Sequence, residues 1–266
     1  MKPSSALRVS QQWQTRPSGS RKERDLNPST QSLLRAVPFY PLLDHCRDWY
    51  SLRKGKRDGT FSQDGEDRFV LEYFSNHRGF YVDAGANHPF RISNTYLLYL
   101  NGWRGITIEP MPHLSRKHRH YRPNDRHFNV GAGSQDGTMK LYDLIPSVLT
   151  TFDEDVATAH LNGGRAVLSS KPEVPIRTIA SLCREVQAQE NIDFLNIDCE
   201  GYDLKVLEGV DWSLTKPTLV CVETGGILER YATHQNSANN IHQFLSGVGY
   251  KALTERGCNT FFELIQ

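Results

Sequence analysis

The sequence predicts an α/β fold whose mostly parallel sheet ends in an antiparallel hairpin, and three observations support this. From residue 79 onward, short apolar runs alternate with amphipathic segments, as in parallel sheets covered by helices. The final stretch, YKALTERGCNTFFELI (250–265), contains two strand-like runs on either side of Gly257. Acidic residues repeatedly follow the apolar runs, at the position where open α/β sheets bind ligands.

The first half of this pattern predicts four strands and two helices. The strands are GFYVDAG (79–85), GITIEP (105–110), RHFNVGAG (126–133) and GTMKLYDL (137–144), and the helices are NTYLLYLNG (94–102) and PHLSRKHRHY (112–121). Proline is favoured in a first helical turn and glycine just after a last one, which explains Pro112 and Gly102. From Pro146 to Pro172 the signals are few, so we expect a long functional or mobile loop.

The second half predicts a regular alternation that closes the sheet. VPIRTIASLCREVQAQ (174–189) reads as a short strand and a helix, IDFLNIDCEG (192–201) as a strand, YDLKVLEGV (202–210) as a helix, PTLVCVET (217–224) as a strand and SANNIHQFLSGVG (237–249) as a helix. The terminal hairpin follows. The sequence contains no internal repeats.

Charge divides the 266 residues into a basic front end and a mildly acidic remainder. Residues 1–60 hold 12 of the 31 Lys and Arg residues and 5 of the 30 Asp and Glu residues, a local net charge of +7. The remaining residues hold 19 basic and 25 acidic residues, a net charge of −6. We therefore expect a basic extension over residues 1–55, disordered to about residue 30, and one domain over residues 56–266. The basic run RKGKR (53–57) could touch anionic lipid or nucleic acid, although a solvated linker is the favoured interpretation.

Cysteine usage and hydropathy favour a cytoplasmic protein. The five cysteines are scattered and form no C-x-x-C pair, which is typical of reduced thiols. No run approaches the roughly 18 apolar residues of a membrane span. Residues 1–20 lack the apolar core of a signal peptide.

Five carboxylates follow the predicted strands and are expected to meet at one rim of the sheet: Asp83, Glu109, Asp198, Glu200 and Glu223. These carboxylates would repel one another unless a cation or a ligand rich in hydrogen-bond donors lay among them. S-adenosylmethionine fits this arrangement, because its ribose diol and its ammonium group are hydrogen-bond donors. We expect Glu109 to bind the ribose. Asp83 and carbonyl groups around Gly85 would accept from the ammonium, and the absence of a pyrophosphate explains why no G-x-G-x-x-G follows.

Longer stretches resemble a known family. FYVDAGANHPFRISNTYLLYLNGWRGITIEPMP (80–112), IDFLNIDCEGYDLKVLEGVDW (192–212) and PTLVCVE (217–223) resemble the FkbM-type S-adenosylmethionine-dependent methyltransferases, as does FSQDGEDRFV (61–70) upstream. The resemblance covers roughly residues 60–265 and is weakest over residues 145–172. It implies a class I methyltransferase (Rossmann-like) fold and, most often, O-methylation of a sugar hydroxyl in a glycan or natural product. The cofactor contacts it implies are Asp83, Gly85, Asn87, Asn94, Thr95, Glu109 and Asn129.

Asp198 and Glu200 are the candidate catalytic residues, with Glu223 as a third member. One of them could act as the general base, or Asp198 and Glu200 could hold a divalent metal that lowers the pKa of the acceptor hydroxyl. Their structural alternative is that Asp198 caps the following helix and Glu200 holds a loop amide. We expect His88 to shape its loop rather than to catalyse. The basic cluster at residues 116–127 is more typical of a solvated helix face than of an anion site.

Several functions remain open from the sequence. A nucleic-acid methyltransferase is disfavoured, because the fourth strand is followed by DCEG (198–201) rather than by an N-P-P-Y motif or a Pro-Cys nucleophile. A peptide acceptor and a catalytically inactive binding module are further alternatives, although Asp83, Gly85 and Glu109 favour cofactor binding. The acceptor, the metal requirement and the oligomeric state are not specified.

Overall fold

The computed structural model describes residues 40–75, 77–188, 192–225 and 237–265. The segment expected to be disordered, residues 1–30, lies outside them. The strands are β1 (Phe80–Ala84), β2 (Arg104–Ile108), β3 (Arg126–Phe128), β4 (Gly131–Ala132), β5 (Gly137–Lys140), β6 (Asp143–Ile145), β7 (Val167–Ser170), β8 (Glu173–Arg177), β9 (Phe194–Ile197), β10 (Leu219–Glu223), β11 (Tyr250–Arg256) and β12 (Asn259–Leu264).

The helices surround a central sheet of seven strands. They are α1 (Tyr40–Asp58), α2 (Glu66–Tyr73), α3 (Tyr96–Leu100), α4 (Pro112–Tyr121), α5 (Glu154–Asn162), α6 (Ile179–Glu185), α7 (Asp203–Glu208) and α8 (Ser237–Gly247), with a short 3₁₀ helix at Ser147–Leu149. The strand order is β11-β12-β10-β9-β1-β2-β3. Strand β12 pairs antiparallel with both β10 and β11, whereas the other pairs are parallel. The predicted class I methyltransferase sheet with its C-terminal hairpin is confirmed.

The central strands are apolar because both of their faces are covered. Val82, Ile106, Leu195 and Val220 come from four neighbouring strands and are fully buried in one cluster. A parallel sheet covered on both sides requires such continuous apolar runs rather than alternating ones. The burial of these strands fixes their register, so their carboxyl ends meet at one edge of the sheet.

The third predicted strand is divided between two sheets. Strand β3 pairs with β2, whereas β4 joins a separate three-stranded sheet of order β4-β8-β5. Between them, the side-chain amide of Asn129 donates to the carbonyl oxygens of Glu109 and Pro110, at 2.9 and 2.7 Å. These bonds hold the chain where it leaves the first sheet. The predicted strand at 137–144 divides in the same way, into β5 and β6.

The expectation of a long loop from Pro146 to Pro172 was wrong in part. This segment contains the 3₁₀ helix, α5 and β7. Helix α5 begins after Asp153, whose side chain accepts from the N–H groups of Asp155 and Val156, as N-cap residues do. The aspartate followed by acidic residues was a helix signal in the sequence, and the double glycine that follows the helix obscured it.

Helix α1 runs through the predicted boundary between residues 55 and 56, and that boundary stays a prediction. The run RKGKR at 53–57 belongs to the last turns of this helix, so the linker interpretation was wrong. The inner face of the helix is tied to the domain by Asp44 and Asp48, which pair with Lys117 at 2.6 Å each. In the described part of the chain, no helix is long and apolar enough to cross a membrane.

A buried guanidinium group joins the first strand to the helices around it. Arg122 is 1% exposed and donates to Asp125 at 2.8 Å, to Tyr81 Oη at 2.5 Å and to Thr95 Oγ1 at 2.9 Å. The carboxylate of Asp83 lies 3.9 Å from it. A buried charge is tolerated only when it is paired and hydrogen-bonded, and Arg122 meets both conditions.

We predict that Arg122→Met lowers the free energy of unfolding by about 3–5 kcal/mol, because Asp83 and Asp125 would remain buried without their cation. Urea denaturation followed by tryptophan fluorescence measures the change. Arg116→Met is the matched control, since Arg116 lies on α4, the helix that ends just before Arg122, but is exposed, and it should change stability by less than about 0.5 kcal/mol. Equal effects of the two substitutions would contradict a structural role for the buried pair.

Candidate functional site

A cavity of about 290 Å³ lies at the carboxyl edge of the central sheet. One wall consists of the residues that follow β1, β2, β9 and β10. The opposite wall comes from the segment around the 3₁₀ helix, residues 147–152, and from Gln63 and Glu66 near the start of α2. The cavity therefore lies where the sheet topology places ligands in open α/β folds.

Glu109, which follows β2, is a buried carboxyl group that lines this cavity. Burial raises its pKa to about 7, while the backbone N–H groups of Met111 and Asn87 act in the opposite direction. The Met111 N–H lies 2.7 Å from Glu109 Oε1. The carboxyl group is thus oriented by backbone donors and partly protonated at neutral pH, so a ligand that donates hydrogen bonds would favour its ionised form.

The loop after β1 approaches the loop after β9 so closely that residue 85 must be glycine. Gly85 has a φ of 79°, and a Cβ atom there would lie 1.8 Å from the carbonyl oxygen of Asp198. Asn87 also has a positive φ, 41°, and its side-chain amide donates to the carbonyl oxygen of Ser147 at 3.2 Å. Both residues line the cavity, as does Asn94, whose amide donates to Asn196 Oδ1 at 3.0 Å.

Three predicted cofactor residues are not among the described residues that line the cavity: Asp83, Thr95 and Asn129. The carboxylate of Asp83 accepts from Thr95 Oγ1 and from Asn196 Nδ2. Burial raises the pKa of Asp83, and the charge of Arg122 opposes this shift. The amide of Asn129 is engaged with the backbone after β2. Asp83 and Thr95 are buried, whereas Asn129 is exposed, and the contact of all three with the cofactor stays a prediction.

The three predicted catalytic carboxylates come together. Asp198, Glu200 and Glu223 all line the cavity, and each offers an oxygen within 4.8 Å of the other two. The Oε2 atom of Glu223 is buried and has no hydrogen-bond partner among the described residues. Asp198 and Glu223 are 25 residues apart in sequence, and they converge here because β9 and β10 are parallel neighbours in the sheet.

The loop after β9 is held by a different aspartate from the one that the structural alternative named. Asp203, in the first turn of α7, accepts from the backbone N–H groups of Cys199 and Gly201 at 2.8 and 3.1 Å. Glu200 adopts a φ of 50°, a conformation that costs a non-glycine residue about 1–2 kcal/mol. Its carbonyl oxygen accepts from Thr151 Oγ1 at 2.9 Å. The loop therefore presents Asp198 and Glu200 to the cavity while Asp203 satisfies its amides.

Mutual repulsion and loss of water shift the acidity of this cluster. Desolvation raises the pKa of Asp198 to about 7, and the charges of Asp203, Asp83 and Glu66 add to the shift. Desolvation and neighbouring carboxylates also raise the pKa of Glu200 and of Glu223 well above the usual range. Such perturbed carboxyl groups in a cavity are typical of functional sites.

His88 lies away from this cluster, against α1. Its Nε2 is 3.0 Å from Asp48 Oδ1, and its Nδ1 accepts from the N–H of Arg91 at 3.3 Å. Burial lowers the pKa of His88 to about 4, so it is neutral and donates through Nε2. His88 shapes its loop, as expected.

The basic cluster at 116–127 is only partly a solvated face. Arg116, Arg119 and His120 are exposed. Lys117 pairs with α1 and Arg122 is buried beside Asp83, so these two cations serve internal contacts. The expectation of an exposed face was therefore correct for part of the helix only.

Gln63 and Glu66 are among the residues of the cavity wall that sequence reasoning missed. Glu66 is 1% exposed; its Oε1 accepts from Asn259 at 3.0 Å and its Oε2 from the N–H of Asp64 at 2.8 Å. Both residues belong to FSQDGEDRFV, which the resemblance included without assigning a role to it. The many polar residues of this stretch, directly before an apolar helix, were the sequence feature that could have indicated a functional role.

The strand order and the carboxylate-lined cavity define a class I methyltransferase. The model of the methyltransferase FkbM domain matches residues 83–252. The chain therefore belongs to the FkbM methyltransferase family and is an S-adenosylmethionine-dependent methyltransferase.

Solved structures of other methyltransferases are similar to this chain at low sequence identity. A methyltransferase from Geobacter sulfurreducens is 11% identical over 90% of this chain and 97% of its own, with a TM-score of 0.41. The 1,6-didemethyltoxoflavin-N1-methyltransferase of Burkholderia thailandensis is 9% identical over 91% and 92%, with a TM-score of 0.39. An O-methyltransferase from Bacillus cereus is 14% identical over 82% and 89%, with a TM-score of 0.38. No curated protein matches the sequence.

We predict that Gly85→Ala lowers the free energy of unfolding by at least about 2 kcal/mol and abolishes cofactor binding, because the new methyl group collides with the backbone of Asp198 in a left-handed conformation. Thermal unfolding and calorimetric titration with S-adenosylmethionine measure both effects. Gly137→Ala is the control, since a Cβ atom there has no neighbour within 4 Å. A Gly85→Ala protein that resembles the control would show that the two loops can separate at little cost.

We predict that Asp198→Asn stabilises the ligand-free protein at about pH 8 by up to about 4 kcal/mol, since a shift of roughly three pKa units costs about 1.4 kcal/mol for each unit. The folded state raises the pKa of Asp198 to about 7, so between about pH 4 and pH 7 it binds a proton that the unfolded state releases, and stability falls as the pH rises. Asparagine cannot ionise and avoids this loss. The measurement is the difference between the two unfolding free energies across this range. Parallel curves for the two proteins would refute the raised pKa.

Proposed function

We propose that the protein transfers the methyl group of S-adenosylmethionine to a hydroxyl group of a sugar, a glycan or a small natural product in the cytoplasm. The observation that carries the proposal is the convergence of Asp198, Glu200 and Glu223 within 4.8 Å beside the cavity that Glu109 also lines. Methyl transfer to a hydroxyl requires in-line alignment with the sulfonium and an acceptor for the hydroxyl proton.

In the proposed complex, Glu109 accepts hydrogen bonds from the ribose diol. Its position after β2 is the one at which nucleotide-binding α/β folds recognise ribose, and it lines the cavity beside Asn87 and Asn94. The loop at Gly85 lies against the carbonyl of Asp198, so a methionine moiety along this loop would point its methyl group toward the acidic cluster. Asp83, Thr95 and Asn129 would position these contacts through their hydrogen bonds to each other and to the neighbouring strand ends.

Asp198 is the proposed general base. Its pKa of about 7 is close to neutral pH, where a base combines a useful ionised fraction with adequate proton affinity. Glu200 and Glu223 would accept hydrogen bonds from other hydroxyl groups of the acceptor. A polyhydroxylated acceptor offers several such donors, which favours sugars over acceptors with a single polar group.

The charge of the cavity favours neutral acceptors. Five carboxyl groups line it, from Glu66, Glu109, Asp198, Glu200 and Glu223, whereas its basic lining residues among those described are Arg91 and His160. Phosphorylated sugars and nucleic acids would be repelled by the ionised fraction of these carboxyl groups, which grows as the pH rises. This argument weighs against the nucleic-acid alternative independently of the missing motif.

A divalent cation is the alternative partner of the same three carboxylates. Hard cations such as Mg²⁺ prefer oxygen ligands, and the buried Oε2 of Glu223, which no described donor satisfies, fits such a ligand set. A cation bound there would lower the pKa of the acceptor hydroxyl. In that case Asp198, Glu200 and Glu223 would serve as ligands, and the proton would pass to solvent or to a carboxylate left uncoordinated.

We predict that Glu109→Ala and Asp198→Asn separate binding from turnover. Glu109→Ala should abolish calorimetric binding of S-adenosylmethionine, because the ribose loses its acceptor. Asp198→Asn should bind the cofactor within a few-fold of the wild type but lower turnover by roughly 10²–10⁴-fold. Labelled cofactor and a panel of sugars, glycans, natural products, amines, peptides and RNA measure the transfer, with and without chelator.

The outcomes divide the possibilities cleanly. Tight cofactor binding by the Glu109→Ala protein would refute the ribose placement, and absence of binding by the wild type would refute an active enzyme. Loss of transfer in chelator, restored by Mg²⁺, would identify the carboxylates as metal ligands. Transfer to RNA or to amines alone would overturn the proposed hydroxyl acceptor.

A further inference from the structure

Helix α1 exposes a face that combines large apolar side chains with cations, and we call this the outer face. Its apolar members are Leu42, Leu43, Trp49 and Tyr50, which are 53–63% exposed. Its basic members are Arg47, Arg53, Lys54, Lys56 and Arg57, all of them exposed. The guanidinium of Arg53 lies over the ring of Trp49, 4.3 Å from its centroid. Spacings of three and four residues place these side chains on one side of the helix.

Two of the three acidic residues of α1, Asp44 and Asp48, are directed away from this face, whereas Asp58 pairs with Arg57 and Lys54 on it. Asp48 is 2% exposed and contacts His88 and Lys117, and Asp44 contacts Lys117 and Arg91. Burial alone would raise the pKa of Asp48, but hydrogen bonds from His88 and Lys117 outweigh it and lower the pKa to about 2. Asp58 is the one carboxylate on the outer face, against five cations. The domain therefore anchors the helix through its acids and leaves a cationic, apolar surface outside.

We propose that the outer face of α1 binds the surface of an anionic lipid membrane. Interfacial helices place Trp, Tyr and Leu side chains at the level of the lipid headgroups while Lys and Arg contact the phosphates. Each such cation contributes to attraction by an anionic leaflet. The helix would lie on the membrane without crossing it, as its charged residues require.

Charge complementarity favours an anionic membrane, rather than the preceding part of the chain, as the partner of the outer face. Residues 1–39 contain seven Lys and Arg residues and two acidic residues, so they carry the same sign as the outer face and would be repelled by it. The same residues would add to the attraction of an anionic surface. An anionic lipid bilayer satisfies the apolar and the basic members together, whereas nucleic acid leaves Leu42 and Leu43 in water.

The test uses the full-length protein in co-sedimentation with vesicles of phosphatidylcholine alone and with vesicles that also contain phosphatidylserine. We expect binding to the second kind only. Arg53→Gln with Lys56→Gln should weaken it roughly fivefold for each cation removed, and Leu42→Ser with Trp49→Ser by at least about tenfold. The matched control is Arg116→Gln with Arg119→Gln, which removes the same charge from exposed positions of α4 and should bind like the wild type.

Methyl transfer to a soluble acceptor, or cofactor binding, should be unchanged in the α1 variants, which separates this proposal from the proposed function. Absence of binding to phosphatidylserine vesicles would overturn the proposal. Binding that persists in both α1 double variants, or that falls equally in the control, would also overturn it, since the outer face would then not be the contact. Tighter binding of an RNA probe than of the vesicles, lost in the same variants, would assign the face to nucleic acid instead.

Discussion

The guanidinium group of Arg122 is the interaction on which the loop between β1 and α3 depends. It joins Tyr81 and Asp83 of β1 to Thr95 at the start of α3 and to Asp125 beyond α4. Asp83 in turn fixes Asn196 of β9, which holds Asn94. The loop between β1 and α3 is therefore pinned at both ends by one buried network, and the positive φ angles of Gly85 and Asn87 are maintained by this fixed frame. Low local dielectric makes such a network strong only when every member is satisfied.

Sequence patterns were sufficient for the strands of the central sheet, because apolar runs such as FLNI before Asp198 have no other stable environment. Sequence patterns were insufficient to predict that Asp83 would not line the cavity. Asp83 and Glu109 have the same sequence context, an acid after an apolar strand, yet Arg122 reaches the first from 39 residues away and leaves the second facing the cavity. The division of the third strand was equally hidden, since it depends on Asn129 meeting carbonyl groups of another strand end. Local patterns do not encode which distant polar groups become neighbours.

In the acidic cluster, one carboxylate stabilises the loop after β9 and different carboxylates face the cavity. Asp203 satisfies the amides of Cys199 and Gly201, which frees Asp198 and Glu200 from that role. The arrangement has a thermodynamic cost in the ligand-free protein, where raised pKa values and the positive φ of Glu200 both oppose folding. Functional sites commonly retain such strain because the rest of the structure stabilises them. The buried apolar strands beneath the cluster supply that stability.

The wall opposite the sheet belongs to a separate structural unit. Residues 147–152 stand between β6 and α5, outside the seven-stranded sheet, and reach it through the bond from Thr151 to the carbonyl of Glu200 and the bond from Asn87 to Ser147. A change in the length or composition of this segment would therefore reshape the cavity that it lines while leaving in place the buried strands that precede Glu109 and Gly85.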